Sequence, residues 1–284
     1  MLNEIIKVLF TPTYLKMRNR RIEGLILAAG FSNRFNSMDN AFKKYLLKVN
    51  NSNILSYIIG GMIKTGIRKI NIIASKISNK SKYKQILLNS IGKLGIDSKK
   101  IKLNIIENKT PKRENGYSLF LGLKAISSEY TLLSMADHIF SENIFSQLVM
   151  NYHRYDILLA TDPINLKDPY KLEDATKICG LNSFITNIGK RIPKYNRLDM
   201  GAFLLKTKVI RNICHGIKLD TYKFGVTDVI LFAIESGLDV SYFDFPNVFW
   251  LDVDNSSIYE QLKEFFRESS NLHPFGLKPQ KIPL

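Results

Sequence analysis

The chain has 284 residues, 45% of them hydrophobic, and its 41 lysines and arginines outnumber 25 acidic residues to leave a formal net charge of +16. That length buries a proper core in one large α/β domain or two smaller ones, and the composition excludes a disordered or low-complexity chain. The longest apolar runs, 25–30 and 54–63, stop well short of the roughly 20 residues of a transmembrane helix. Residues 1–10 are interrupted by Glu4 and Lys7 with no small-residue cleavage site after them, and two cysteines, Cys179 and Cys214, are too few for a disulfide framework. The expectation is a cytoplasmic chain.

The positive charge raises nucleic acid as a partner. Its clusters, at 16–21, 76–84, 99–102 and 109–113, are spread along the chain and carry no nucleic-acid motif. A basic surface that attracts polyanionic small substrates accounts for the same charge, so no nucleic-acid partner is expected.

Strand and helix signals alternate over the first half, which predicts a mainly parallel sheet with crossover helices. In chain order they are a buried strand at 23–28, a helix at 52–65, a strand at 68–74, and a helix at 81–94 closed by Gly95. A third strand at 101–106 leads through the basic loop 109–113 to a helix at 116–126, and a fourth strand at 130–135 ends at Asp137. After a strand at 156–161, turns at 162–163, 168–169 and 187–190 predict an inserted antiparallel hairpin region, 162–205, that ends in a strand at 201–205. Helices at 206–213 and 227–236, a strand pair around 240–250 and a helix at 256–268 complete the reading. No internal repeat or linker is evident, so residues 22–284 are expected to form one domain behind a basic extension, 1–21, read as a solvated tail.

Chemistry concentrates in three places. The first strand runs into Leu27, Ala28, Ala29, Gly30, Phe31 and Ser32, followed by Arg34 and by Lys43 and Lys44. Small residues beyond the carboxyl end of a buried strand let backbone amides approach phosphate oxygens, and the cations offset their charge. This is neither a GxxxxGK[ST] loop nor a GxGxxG loop, because Gly30 stands alone. The second place is Asp137, a carboxylate at a strand end that suits a hard cation, although a lone aspartate there is more often a turn or helix cap, followed by His138, read as locally structural. The third is Trp250-Leu-Asp252-Val-Asp254, where two acids on one strand face repel unless a cation or basic group joins them.

The sequence LAAG with Arg34 and a Lys-x-Leu-Leu-x-Val element resembles the opening signature of the nucleotidyltransferases that activate sugar and alcohol phosphates, and that alignment makes Lys44 the motif lysine. Asp137 and Asp252, the latter in a Trp-x-Asp pattern, are similar to that family's paired metal ligands, in family order and at family spacing over about residues 22–268. The resemblance implies a Rossmann-like, mainly parallel mixed sheet with flanking helices and an antiparallel substrate-binding insertion, the nucleotide-diphospho-sugar transferase type of α/β fold. It implies Mg2+ on Asp137 and Asp252, phosphate contacts from Arg34 and Lys44, and a nucleotide loop over 27–32. Ser32 stands where a second glycine is frequent and Lys43 where proline is frequent. Asp254 is then a support or a cap for the final helix.

Three further segments narrow the resemblance. Asn115, Gly116 and Ser118 open a helix where backbone can approach a base, while Lys190, Asn196 and Asp199 suit a phosphate monoester and hydroxyls. Together with the Met-Ala-Asp-His segment they are similar to inositol-1-phosphate cytidylyltransferases, known chiefly from archaea and heat-loving bacteria. CTP and inositol 1-phosphate are the implied substrates and CDP-inositol the product. Many members carry a membrane CDP-alcohol transferase on the same chain; here a hand-off to a separate membrane enzyme of inositol phospholipid or di-inositol phosphate synthesis is expected. The alternatives are transfer to another phosphorylated alcohol or sugar, and a noncatalytic nucleotide- or RNA-binding protein on the same fold.

Overall fold

A computed structural model describes residues 21–30, 43–75, 77–151, 153–164, 175–269 and 273–277. The first strand, β1 (Ile22–Ala28), is followed by the short pair β2 (Lys48–Val49) and β3 (Ser52–Asn53), helix α1 (Ile54–Lys64), β4 (Lys69–Ala74) and α2 (Lys80–Gly92). Next come β5 (Lys102–Glu107), α3 (Glu114–Ala125), β6 (Tyr130–Met135), β7 (His138–Phe140), α4 (Phe145–Met150) and β8 (Ile157–Pro163). The second half adds β9 (Lys177–Leu181), β10 (Phe184–Gly189), β11 (Arg197–Lys206), α5 (Thr207–Asp220), α6 (Val226–Glu235), β12 (Val240–Asp244), β13 (Trp250–Asp252) and α7 (Ser256–Glu268). No helix among the described residues is long and apolar enough to cross a membrane.

Among the described residues nine strands form one sheet in the order β5-β4-β1-β6-β11-β8-β12-β10-β9. β5, β4, β1 and β6 are mutually parallel, and β11 inserts antiparallel between β6 and β8. The mixed α/β architecture expected from the sequence is therefore present. Alternation along each strand builds two cores, one on each face. Ile26, Ile72, Leu132 and Leu204 pack beneath α1, α2, α4 and α7, while Leu25, Leu27, Leu133 and Phe203 pack beneath α3, α5 and α6. The chain winds outward from β1 to β5 and then returns to β6 on β1's other side. The carboxyl ends of β1 and β6 thus flank a topological switch point, where open α/β sheets leave a crevice.

Several boundaries differ from the sequence reading. Residues 52–53 form a strand before α1, because the Asn53 side chain accepts from Ser56 N (2.8 Å) and caps the helix there. The strand pair expected around 240–250 does not exist as a pair: β12 joins β8 in parallel, while β13 joins β7 in a separate two-stranded ribbon. β11 is longer than expected and runs from the hairpin region into the centre of the sheet, with a register shift between Asp199 and Phe203. Residues 165–174 of the predicted insertion lie outside the described residues.

One polar group in the sheet makes a testable contribution to stability. Glu23 is 6% exposed and its carboxylate meets Lys69 Nζ (2.9 Å), Asn71 Nδ2 (3.2 Å) and Ser127 Oγ (3.0 Å). Burial opposes its charge, but these donors and the Lys69 charge outweigh that and hold its pKa below 4.5. A lowered carboxyl contributes stability above its unfolded pKa and loses it as pH falls through the folded one. Glu23→Gln is expected to lower stability at pH 7 by about 2 kcal/mol and to reduce the loss that the wild-type chain suffers below about pH 4.5. Urea unfolding at pH 7 and pH 3.5 checks it; equal pH dependence in both proteins contradicts it.

Candidate active site

Two cavities open at the switch point. The first, about 550 Å³, is lined by Leu27, Ala28, Ala29 and Gly30 after β1, by Lys44 and Tyr45, by Asn115 and Ser118 on α3, and by Asp137. Among the described residues a Cβ added to Gly30 would meet no atom within 4 Å, and the residue faces the cavity. Phe31, Ser32 and Arg34 lie outside the described residues. The second cavity, about 530 Å³, is lined by Lys190, Asp199, Thr176, His138, Asp252 and the first turns of α7. Asn115 and Met135 line both cavities.

The acidic residues gather where the cavities meet. β6 ends at Met135, and Ala136 N donates to Leu27 O (3.1 Å), which ties the following turn to β1. The ribbon of β7 and β13 sets His138 opposite Asp252, and Val253 N donates to Asp137 O (3.0 Å). Three residue pairs of ribbon therefore bring together carboxylates that are far apart in sequence. Asp137, His138 and Asp252 each offer a ligand atom within 4.8 Å of the others. Asp254 is beside them, paired with Lys44 Nζ, which also lies 2.6 Å from Asp137 Oδ2.

The charges of this cluster are strongly interdependent. Burial raises the Asp252 carboxyl, as do the charges of Asp137 and Asp254, to about 7 despite His138 and Lys44. Its Oδ1 is buried and accepts no hydrogen bond. For Asp137, burial is outweighed by the hydrogen bond with His138 and the charge of Lys44, which hold the carboxyl well below the usual range. Burial likewise opposes the charge on His138, but Asp252, Asp137 and Asp199 lift it to about 9. Burial lifts Asp199 to about 6, against the Gly201 amide and His138. Two close carboxylates, one with an orphaned buried oxygen, suit a small hard cation with open positions for phosphate oxygens.

The lysines beside the first loop separate cleanly. Lys43 Nζ donates to the carbonyl and hydroxyl oxygens of Ser75 (both 3.1 Å), whereas Lys44 lines the first cavity and carries the acidic contacts. Asp254 does not cap the last helix; Asn255 does, its side chain accepting from Ile258 N (3.0 Å). Gly116 is not at the cavity wall. Its N donates to Phe224 O (3.1 Å), and a Cβ would lie 2.6 Å from that oxygen and 2.7 Å from Gly225 O. Asn115 lines the cavity while its Oδ1 accepts from Val226 N (2.8 Å), and Ser118 Oγ accepts from Asn108 Nδ2 (3.0 Å).

In the second cavity Lys190 and Asp199 line the wall but Asn196 does not. Both amide ends of Asn196 bond the backbone of Gly180, at 2.9 and 2.8 Å, which fastens the hairpin to the start of β11. Several lining residues had no sequence signal. Lys223 reaches the first cavity from the loop before α6, and Thr176, Ser257 and Gln261 reach the second. Only the i, i+4 spacing of Ser257 and Gln261 on a predicted helix hinted that they share a face.

A family model, the MobA-like NTP transferase domain, matches residues 24–176, more than half of the chain. The chain belongs to this nucleotidyltransferase family. The chain is similar to the protein named bifunctional IPC transferase and DIPP synthase from Aquifex aeolicus (strain VF5), 27% identical over 241 residues, covering 85% of this chain and 51% of that one. The protein of the same name from Archaeoglobus fulgidus is 24% identical over 249 residues, covering 85% and 44%. The chain thus spans about half the length of these relatives or less. The solved inositol-1-phosphate CTP transferase from T. maritima shares the fold with a TM-score of 0.69 at 24% identity, covering 87% of this chain and 96% of that one. A UDP-glucose pyrophosphorylase complexed with UDP-glucose shares it with a TM-score of 0.69 at 16% identity, covering 87% and 98%. The MobA-like region begins within β1 and ends just before β9, so it holds the first loop, Lys44 and Asp137, while Asp252 lies beyond it.

Proposed function

We propose that this nucleotidyltransferase moves CMP from CTP to inositol 1-phosphate, giving CDP-inositol and pyrophosphate. The observation that carries the reading is the pair of cavities meeting at one acidic cluster, the layout a two-substrate transfer between polyanions needs. The choice of CTP and inositol 1-phosphate is supported by the names of the bifunctional relatives and of the T. maritima structure.

In the first cavity the 27–30 backbone, Asn115 and Ser118 receive the nucleotide, with Phe31 and Ser32 as further contacts of the proposed site and Gly116 acting through the 224–225 backbone. In the second, Lys190 holds the acceptor phosphate and Asp199 its hydroxyls. An oxygen of the acceptor phosphate attacks the α-phosphorus in line; the new P–O bond forms as the bond to the bridging β-phosphate oxygen breaks, and pyrophosphate leaves. The acceptor is already anionic, so no side chain has to remove a proton. Lys44, together with Arg34, offsets the charge that gathers on the phosphates. Asp137 and Asp252 would hold magnesium, which when bound supplies charge neutralisation and a template for phosphate oxygens.

The test is a panel of CTP, UTP, GTP and ATP against inositol 1-phosphate, phosphocholine and glucose 1-phosphate, scored by pyrophosphate release. The highest kcat/KM is expected for CTP with inositol 1-phosphate. A faster reaction with another pair replaces these substrates within the same chemistry, and no release from any pair overturns the proposed activity.

A further inference from the structure

His138 is not used in that chemistry, yet the surrounding fold is shaped to hold it. Its ring is parallel to the Trp250 indole, with centroids 6.0 Å apart and 10° between the planes. Trp250 is itself tethered, Nε1 donating to Asp162 Oδ2 (2.8 Å). A second constraint comes from β11, whose register shift places Gly201 at φ +70° with its N donating to Asp199 Oδ1 (2.8 Å). A Cβ at Gly201 would lie 2.6, 2.7 and 2.9 Å from Cδ2, Nε2 and Cγ of the imidazole, so the ring occupies the space that a side chain would fill. So fixed, Nδ1 sits 2.9 Å from Asp137 Oδ1 and 3.8 Å from Asp252 Oδ1.

We infer that His138 is a positioning residue: it pins Oδ1 of Asp137, leaves Oδ2 on the nucleotide side with Lys44, and keeps the Asp137 and Asp252 carboxylates at the separation at which they share one divalent cation. The inference rests on the proposed reading that these two aspartates hold a cation. Two carboxylates this close repel and would rotate apart without a third group between them. A hydrogen-bond donor from Nδ1 fixes one carboxylate, and the ribbon register carries the other on the strand facing it.

The experiment titrates Mn2+ alone into the purified full chain by calorimetry, for the wild type, Asp137→Ala, His138→Asn, His138→Gln and His138→Ala. Asparagine sets an amide nitrogen where Nδ1 stands, whereas glutamine sets its nitrogen nearer the place of Nε2. Wild type and His138→Asn are expected to bind alike, Asp137→Ala to lose binding, and His138→Gln and His138→Ala to bind about 10- to 100-fold more weakly. The same two weakened variants are expected to need correspondingly more Mg2+ for turnover while kcat at saturating Mg2+ falls less. If His138→Ala fails to fold, the Asn and Gln pair decides. Wild-type Mn2+ affinity in His138→Gln, with binding lost in Asp137→Ala, overturns the positioning role alone. Unchanged affinity in Asp137→Ala, or none in the wild type, overturns the cation reading and this inference with it.

Discussion

Alanine at Asp137 or at Asp252 is expected to lower kcat/KM for nucleotidyl transfer by at least about a thousandfold, the rate equivalent of losing several kcal/mol of charge stabilisation around the transferred phosphoryl group. The two variants are expected to differ in stability. Asp137 carries the contacts to both Lys44 and His138, so its loss leaves two buried cations without that partner. Asp252 has a buried oxygen with no hydrogen bond and a carboxyl raised by burial and by the Asp137 charge, so its removal relieves repulsion in the metal-free chain. Thermal melts without divalent ions should therefore place Asp137→Ala below the wild type and Asp252→Ala at or above it. Full activity in either variant, measured by pyrophosphate release, removes that residue from the site.

The second large effect is expected at Lys44. Its side chain is 11% exposed and its Nζ is shared between Asp137 and Asp254, so Lys44→Ala removes the ammonium that these two carboxylates share beside Asp252. Breaking such a pair costs about 3 kcal/mol. Turnover should fall by about 100- to 1000-fold, the usual consequence of removing one group aimed at transition-state charge. MgCl2 should restore part of the lost melting temperature, because the freed carboxylates then bind a divalent ion more readily. Lys43→Ala is the control. Its ammonium is bonded to Ser75 and should leave turnover within a few-fold of wild type, about 1 kcal/mol or less. Equal losses at the two positions contradict the assignment of Lys44.

How these residues come together was only partly legible in the chain. At the first loop, the buried strand before Ala29 and Gly30 and the apolar run before Asp137 mark strand ends where a ligand can bind, but a plain turn fits the same residues, and only the resemblance chose between the two. The meeting of Asp137 with Asp252 could not be derived from periodicity. It depends on β7 and β13, three residues each, which are too short to show an alternating pattern. The resemblance to known nucleotidyltransferases supplied that pairing instead.

Polar residues were the least readable class. Asn196 was expected at a ligand, and both ends of its amide bond the backbone of Gly180 on β9. A polar side chain that satisfies buried backbone has the same local sequence signature as one that meets a substrate. Of the two roles read for Asp254, support or cap, the cap fails for the same reason. Asp254 and Asn255 both precede α7, and only the observed reach to Ile258 N distinguishes the cap from its neighbour. Lys223 had no local pattern at all, since the hydrogen bonds that bring its loop to α3 come from the backbone of residues 224–226 and from Asn115.

The most direct test of the proposed transfer follows phosphorus. The purified chain is incubated with CTP, inositol 1-phosphate and MgCl2, and the mixture is observed by 31P NMR. CMP transfer predicts two mutually coupled diphosphate resonances of CDP-inositol growing in step with pyrophosphate, in equal amounts, as the inositol 1-phosphate resonance declines. An unchanged inositol 1-phosphate resonance alongside consumed CTP, or no consumption of CTP at all, contradicts it.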